Sequence, residues 1–91
     1  MNFTRIDGYP DYVIHPNSCL LRICKNKTTM LKPSISNQGY WRVWLYNKGV
    51  GKMFSVHRLL ALHFIENPEN KPTVDHINRI KTDNRIENLR W

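Results

Sequence analysis

Asp75 and His76 stand side by side near the C-terminal end of the sequence, in the stretch DHINRIKTDNRIENLRW. A carboxylate beside an imidazole is raw material for metal ligation and for acid–base catalysis. Taken alone the pair is a weak signal. An Asp–His neighbour arises often by chance, and its ordinary explanation is a structural hydrogen bond. Other chemistries lack their residues. His57 and His63 are six apart and fall on different faces of a helix, so they make no helical metal pair, and both read as solvent or packing histidines. With only Cys19 and Cys24, a four-cysteine zinc site is excluded within one chain. No glycine-rich phosphate cradle and no activated Ser or Cys arrangement can be assembled.

The setting raises the pair above chance. The 91 residues carry 14 Lys and Arg against 7 Asp and Glu, a formal net charge of +7. From Tyr12 to Ile65 there is no acidic residue, yet Arg22, Lys25, Lys27, Lys32, Arg42, Lys48, Lys52 and Arg58 all lie there. A solvated surface ordinarily mixes both signs to limit self-repulsion. A one-signed stretch of this length is the footprint of a polyanion binder, with phosphates as the missing counter-charge. Tyr40, Trp41, Trp44, Tyr46 and Phe54 are interleaved with those charges. Nucleic acid is therefore the expected partner. A membrane surface is not, since no basic amphipathic helix is present. The candidate contacts are Lys25, Lys27, Lys32, Tyr40, Arg42, Trp44, Tyr46, Lys48, Lys52 and Arg58.

Length and composition bound the rest. Ninety-one residues with 41% hydrophobic content make one domain, or little more, with a thin reserve of core. No apolar run approaches the roughly 18 residues a spanning helix needs. The opening MNFTRIDGYPDY has no basic start followed by an apolar stretch, so no secretory signal is expected. The odd spacing of Cys19 and Cys24 would put them on opposite faces of a strand, so no mutual disulfide is expected and the simplest setting is reducing and intracellular.

The elements that must position these residues are short. Tyr12–Ile14 and Leu20–Ile23 read as strands separated by the turn-rich His15-Pro16-Asn17-Ser18, and Lys25 to Thr29 reads as a loop. The strongest strand signal is Tyr40 to Tyr46. Its period of two puts Trp41, Val43 and Leu45 on a core face and Tyr40, Arg42, Trp44 and Tyr46 on a face that meets something. Asn47 to Gly51 turns the chain, and Lys52 to Ser55 returns as the hairpin partner. Ser55 is the expected N-cap of a helix in which Val56, Leu59, Leu60, His63 and Phe64 fall on helical spacing, ending before Asn67-Pro68. Thr73 to Ile77 reads as a strand and Asn78 to Lys81 as a turn. Thr82 or Asp83 then caps a short helix through Leu89. The fold class is α+β: a small antiparallel β-rich half (1–50), one helix, and a short strand, turn and helical segment, with 51–91 carrying the chemistry.

These residues resemble a family. Val56-His57-Arg58-Leu59-Leu60-Ala61-Leu62-His63-Phe64, the Asn67-Pro68 connector, and Val74-Asp75-His76-Ile77-Asn78 through Asn84, Asn88 and Leu89 are similar to the HNH endonucleases of phages and their introns. Upstream, Ile6-Asp7-Gly8-Tyr9 with Tyr12-Val13-Ile14, and Leu31-Lys32-Pro33-Ser34 leading to Gly39-Tyr40, resemble the β-rich module that precedes the nuclease domain in homing enzymes. The resemblance covers nearly the whole chain.

It implies a ββα-metal nuclease that cuts DNA, duplex being the expected form, with one divalent cation, Mg²⁺ or Mn²⁺. His76 matches the general base that takes a proton from the attacking water, a task that suits imidazole because its ordinary pKa lies near neutrality. Asp75 matches a carboxylate ligand to the cation. Asn88 matches the middle Asn, which pins the intervening loop so that the His ring is aimed, and Asn84 supports the same loop. Asp75 and His76 can share a site only if their strand ends or bulges there, since strand neighbours point to opposite faces. A phage origin would place the protein in the cytoplasm of a bacterial host.

The sequence departs from the pattern twice. Arg79 stands where the family usually has a glycine, so the backbone there must take a conformation open to a non-glycine residue. The third motif position, a His or Asn about nine residues past the middle Asn on a final helix, has no counterpart before Trp91. That leaves Asp75 as the evident metal ligand and implies a weakly held ion. Two functions compete. One is a homing-type endonuclease; the other is a shortened relative that binds nucleic acid or a nucleoprotein as a regulator or antagonist. The intact Asp75, His76, Asn84 and Asn88 favour the first, and the absent third position favours the second. The sequence also leaves room for a longer polypeptide.

Overall fold

The computed structural model describes residues 2–91. Strands β1 (Thr4–Ile6), β2 (Tyr9–Ile14), β3 (Leu20–Cys24) and β4 (Lys27–Met30) form an antiparallel meander in the order β1-β2-β3-β4. Strands β5 (Ser34–Ile35), β6 (Trp41–Asn47) and β7 (Val50–Ser55) form a second antiparallel sheet. Helix α1 (Val56–Phe64) follows without a break. Finally β8 (Asp75–His76) and β9 (Leu89–Arg90) pair with each other, flanking a single 3-10 turn at Ile86–Asn88. The α+β expectation holds, with antiparallel strands throughout and one α-helix among the described residues.

The core sits where the sheets meet the helix. Tyr12, Ile14 and Leu20 from the meander face Val43 and Leu45 of β6, and Val56, Leu59 and Leu60 of α1 close the cluster with Ile6 and Leu89. Val56, Leu59 and Leu60 lie at i, i+3 and i+4, so one stripe of a nine-residue helix enters the core. Burying each Leu contributes roughly 1.5–3 kcal/mol, which holds so short a helix that would not persist alone. Leu89, 4% exposed, ties β9 and hence β8 to the same core. The tyrosine hydroxyl of Tyr12 accepts the Tyr46 amide at 3.2 Å, stitching the two larger sheets together. Strand β6 shows the expected alternation: Val43 and Leu45 are buried, while Trp44 and Tyr46 are each 52% exposed.

Four local expectations are corrected. Lys25 to Thr29 is not a loop. Lys25 and Asn26 make a tight turn, with Lys25 at φ 56°, and Lys27–Met30 pairs with β3 as an exposed edge strand. Its polarity reflects exposure rather than irregularity. The second hairpin turns in two residues, Lys48 (φ 52°) and Gly49 (φ 80°), so β7 starts at Val50. The expected N-cap of α1 holds, for Ser55 occupies it, although its side chain makes no capping bond. The expected helix from Thr82 or Asp83 to Leu89 is one 3-10 turn followed by a strand, and the expected Thr73–Ile77 strand is two residues long. So short a helix has few internal bonds to offset its nucleation, and Leu89-Arg90 gain more by pairing with Asp75-His76.

Candidate active site

Three segments distant in sequence each deliver one ring to the same place. Tyr40 precedes β6, His57 lies in the first turn of α1, and His76 ends β8. Tyr40 and His57 stack at 5.1 Å between centroids with 27° between planes. Tyr40 and His76 are 5.9 Å apart at 28°, and His57 and His76 are 4.8 Å apart at 47°. Burial first, then the neighbouring His76 and Arg58, lower the pKa of His57 from 6.5 to about 4, so its ring is neutral at physiological pH.

Asn84 holds the His76 ring directly. Its Oδ1 lies 2.7 Å from His76 Nε2, and Asn84 is 8% exposed. An amide oxygen only accepts, so Nε2 carries the hydrogen and the neutral ring keeps its lone pair on Nδ1. Asn84 thus grips the imidazole itself rather than the loop that it was expected to support.

Asn88 organises the loop between β8 and the 3-10 turn. Its Oδ1 accepts the Asn78 amide at 3.0 Å, and its Nδ2 donates to Asn78 Oδ1 at 2.9 Å and to the Asp83 carbonyl at 2.8 Å. Its own carbonyl accepts the Ile77 amide at 2.7 Å. A side chain 5% exposed with these bonds clamps both ends of the loop. Asn78 adds a turn of its own, accepting the Ile80 amide at 2.9 Å. Arg85 forks onto Asp83 with two 2.8 Å bonds and holds that carboxyl well below the usual carboxylate range. Arg79, inside this loop, adopts φ 64°. It takes the left-handed conformation that a glycine would favour, a region open to other residues only at a cost.

Asp75 is placed differently from His76. Its carboxylate lies 3.9 Å from Arg90 Nε, 71% exposed, in a shallow polar hollow with Lys71, Pro72, Thr73, Arg90 and Trp91. The side-chain contacts of Asp75 and His76 share no residue, and β8 ends at His76, where regular alternation stops. Among the described residues no three His, Cys, Asp or Glu side chains converge into a metal-binding group.

The basic candidates spread over several surfaces. Lys25 and Lys27 are exposed on the β3–β4 hairpin, Lys32 is exposed after β4, and Lys48 is exposed at the β6–β7 turn. Trp44 and Tyr46 stand on the outer face of β6, where the Tyr46 ring lies over Gly51. Lys52 Nζ sits 5.5 Å from the Phe54 ring centroid. Arg42 is half-buried, and its Nε is buried with no protein partner among the described residues. Arg58 is engaged internally, donating to the Pro72 carbonyl at 2.6 Å and lying 5.6 Å over the Trp91 ring. Tyr40 belongs to the ring cluster, where Lys81 Nζ stands 5.1 Å over its face. Sequence reasoning assigned no site role to His57 or Lys81. Neither carries a local signal, because only the meeting of β6, α1 and β8 gives them one.

Residues 55–91 match the family model described as HNH endonuclease. Over all 91 residues the chain is 40% identical to the DNA endonuclease I-HmuI of Bacillus phage SP01. The chain is thus a homologue of I-HmuI, with an HNH endonuclease match over residues 55–91. The solved structure titled "DNA binding and cleavage by the HNH homing endonuclease I-HmuI" superposes on the whole chain with a TM-score of 0.87 at 39% identity. A mimivirus protein of Acanthamoeba polyphaga, the uncharacterized HNH endonuclease L245, is 45% identical over 67 residues, 74% of this chain. The chain spans 52% of I-HmuI and 20% of L245. The HNH segment contains His57, Asp75, His76, Asn84 and Asn88, while Tyr40 lies before it. HNH nucleases are generally dependent on a divalent metal. No helix among the described residues is long and apolar enough to cross a membrane.

Proposed function

We propose that this chain forms the DNA-binding and catalytic part of an HNH endonuclease that hydrolyses a phosphodiester of duplex DNA. The observation that carries the proposal is the state of His76: Asn84 occupies Nε2 at 2.7 Å and leaves the Nδ1 lone pair as the basic position. In the proposed step Nδ1 takes a proton from water, the water oxygen bonds to phosphorus, and the 3′ oxygen leaves with the electron pair of its broken bond. Asn88 keeps the loop closed, so the ring is already aimed before DNA arrives. Asp75 is exposed and held only by a 3.9 Å contact with Arg90, so its hard oxygens suit one Mg²⁺ or Mn²⁺, with DNA phosphate and water as further ligands. Such a cation supplies neutralisation of the phosphate charge when bound.

Several features support DNA as substrate. The +7 charge, the acid-free stretch and the exposed Trp44 and Tyr46 suit a polyanion with stacked bases. The buried Arg42 Nε–H, unsatisfied by the protein, suits a phosphate oxygen. Retention of Asp75, His76, Asn84 and Asn88 favours cleavage over a binding-only relative. Two free thiols and phage relatives support an intracellular setting in a bacterial host.

Incubation with supercoiled plasmid, with Mg²⁺ or Mn²⁺ and with chelator, tests the proposal. Metal-dependent cleavage is expected, and His76→Ala should lower its rate roughly 10²–10⁴-fold while leaving DNA affinity nearly intact. Equal losses of rate and affinity would make His76 a structural residue instead.

A further inference from the structure

The rings around His76 carry an inference that rests on the nuclease proposal and deepens it. A hydrogen bond at one nitrogen fixes an imidazole along a single line and leaves the ring free to tilt about it. Asn84 supplies that one bond. What limits the tilt is contact with neighbouring rings. Tyr40, from the segment before β6, stacks near the His76 ring at 5.9 Å, and His57, from α1, lies against it at 4.8 Å with its plane tilted by 47°. Tyr40 and His57 stack on each other at 5.1 Å. The three rings therefore brace one another from three separate elements.

We propose that His57 and Tyr40 are positioning residues of the nuclease reaction: their rings clamp the plane of His76, so that Asn84 and the clamp together present Nδ1 in one orientation. Two further observations fit. The Nδ1 atom of His57 is buried with no hydrogen-bond partner among the described residues, so this nitrogen serves no polar network there. The ring is also neutral, with its pKa lowered to about 4, so it packs against His76 without bringing a charge there. Tyr40 is anchored in turn, with its amide bonded to Ser36 Oγ at 3.2 Å and Lys81 over its ring. One consequence is that the β-rich half contributes to the active site as well as to binding.

The test uses the 91-residue chain and substitutions that separate flatness, nitrogen chemistry and bulk. His57→Phe keeps a flat ring without nitrogens. His57→Leu keeps apolar volume without a flat face. Tyr40→Phe and Tyr40→Leu do the same at the second position. Nitrogen-15 NMR of the His76 ring reports its orientation through the hydrogen-bonded Nε2–H signal, whether or not DNA is cut. Sharp Nε2–H signals and near-normal turnover are expected for both Phe variants. The Leu variants should show an exchange-broadened His76 signal and a kcat lower by roughly ten- to a hundredfold, with KM for DNA unchanged in His57→Leu.

Leu variants with a sharp His76 signal and full turnover would overturn the clamp. So would a His57→Phe variant as impaired as His57→Leu, because the imidazole nitrogens would then be at work. Should the wild-type chain fail to cut DNA at all, the nuclease proposal falls. The His76 signal would still decide the clamp.

Discussion

Removing the Asn88 side chain should loosen the molecule far more than an ordinary amide deletion. Asn88→Ala deletes three bonds at 3.0, 2.9 and 2.8 Å, and it leaves the Asp83 carbonyl and the Asn78 amide without their protein partners. At roughly 0.5–1.5 kcal/mol per bond the loss is about 1.5–4.5 kcal/mol, toward the upper part of that range because Asn88 is only 5% exposed. A domain of this size loses about 4–8 °C of Tm per kcal/mol, so a loss of about 3–4.5 kcal/mol means a fall of roughly 12–36 °C. Thermal unfolding followed by circular dichroism measures it. Asn88→Asp is the informative partner. It keeps one acceptor for the Asn78 amide but turns the two donor contacts into carboxylate against Asn78 Oδ1 and the Asp83 carbonyl, so it should rescue nothing. A Tm for Asn88→Ala within about 2 °C of wild type would show that water replaces the clamp freely, and the account of the loop would fail.

Three further outcomes follow from named contacts. Arg79→Gly should raise Tm by a few degrees, because relief of a left-handed residue at φ 64°, about 1 kcal/mol, outweighs the added freedom of the unfolded chain; a fall in Tm would contradict this. Gly51→Ala would put a Cβ 2.6 Å from the Tyr46 ring, which is exposed enough to swing aside, so fluorescence anisotropy should show weaker DNA binding at nearly unchanged Tm; unchanged affinity would remove Tyr46 from the interface. The pH dependence concerns His57, whose folded pKa of about 4 lies below its unfolded value of 6.5. Between those values the unfolded chain binds the proton and the folded chain does not, so this contribution is complete above pH 6.5 and is lost as pH falls toward 4. Discounted for partial exposure, the loss is on the order of 1–2 kcal/mol, and the Tm gap between wild type and His57→Phe should move in favour of the variant from about pH 7 to about 4.5. A gap independent of pH would refute it.

Much of the fold was legible where one periodicity dominated. The alternation in Trp41–Tyr46 located β6 and its two faces, and the spacing of Val56, Leu59 and Leu60 located α1. Misreadings fell where local polarity and tertiary demand diverge. Lys27–Met30 looks like a loop because it is an edge strand exposed at every residue, and Leu89-Arg90 looks like the end of a helix because its strand partner, Asp75-His76, lies a whole loop upstream.

The site divides along the same line. The resemblance to the HNH endonucleases, and not the weak Asp–His pair alone, singled out Asp75, His76, Asn84 and Asn88. The roles within that set depend on direction, which identity does not encode. Spacing could not say that Asn84 grips the His76 ring while Asn88 holds the loop, nor that Asp75 lies beside Arg90. It also could not bring Tyr40 and His57 to His76. Those rings come from a strand entry, a helix start and a two-residue strand, and they meet only because Val43, Leu45, Val56, Leu59 and Leu89 collapse into one core. Hydrophobic burial acts on the whole chain at once, so it, and not any local pattern, decides which distant side chains become neighbours.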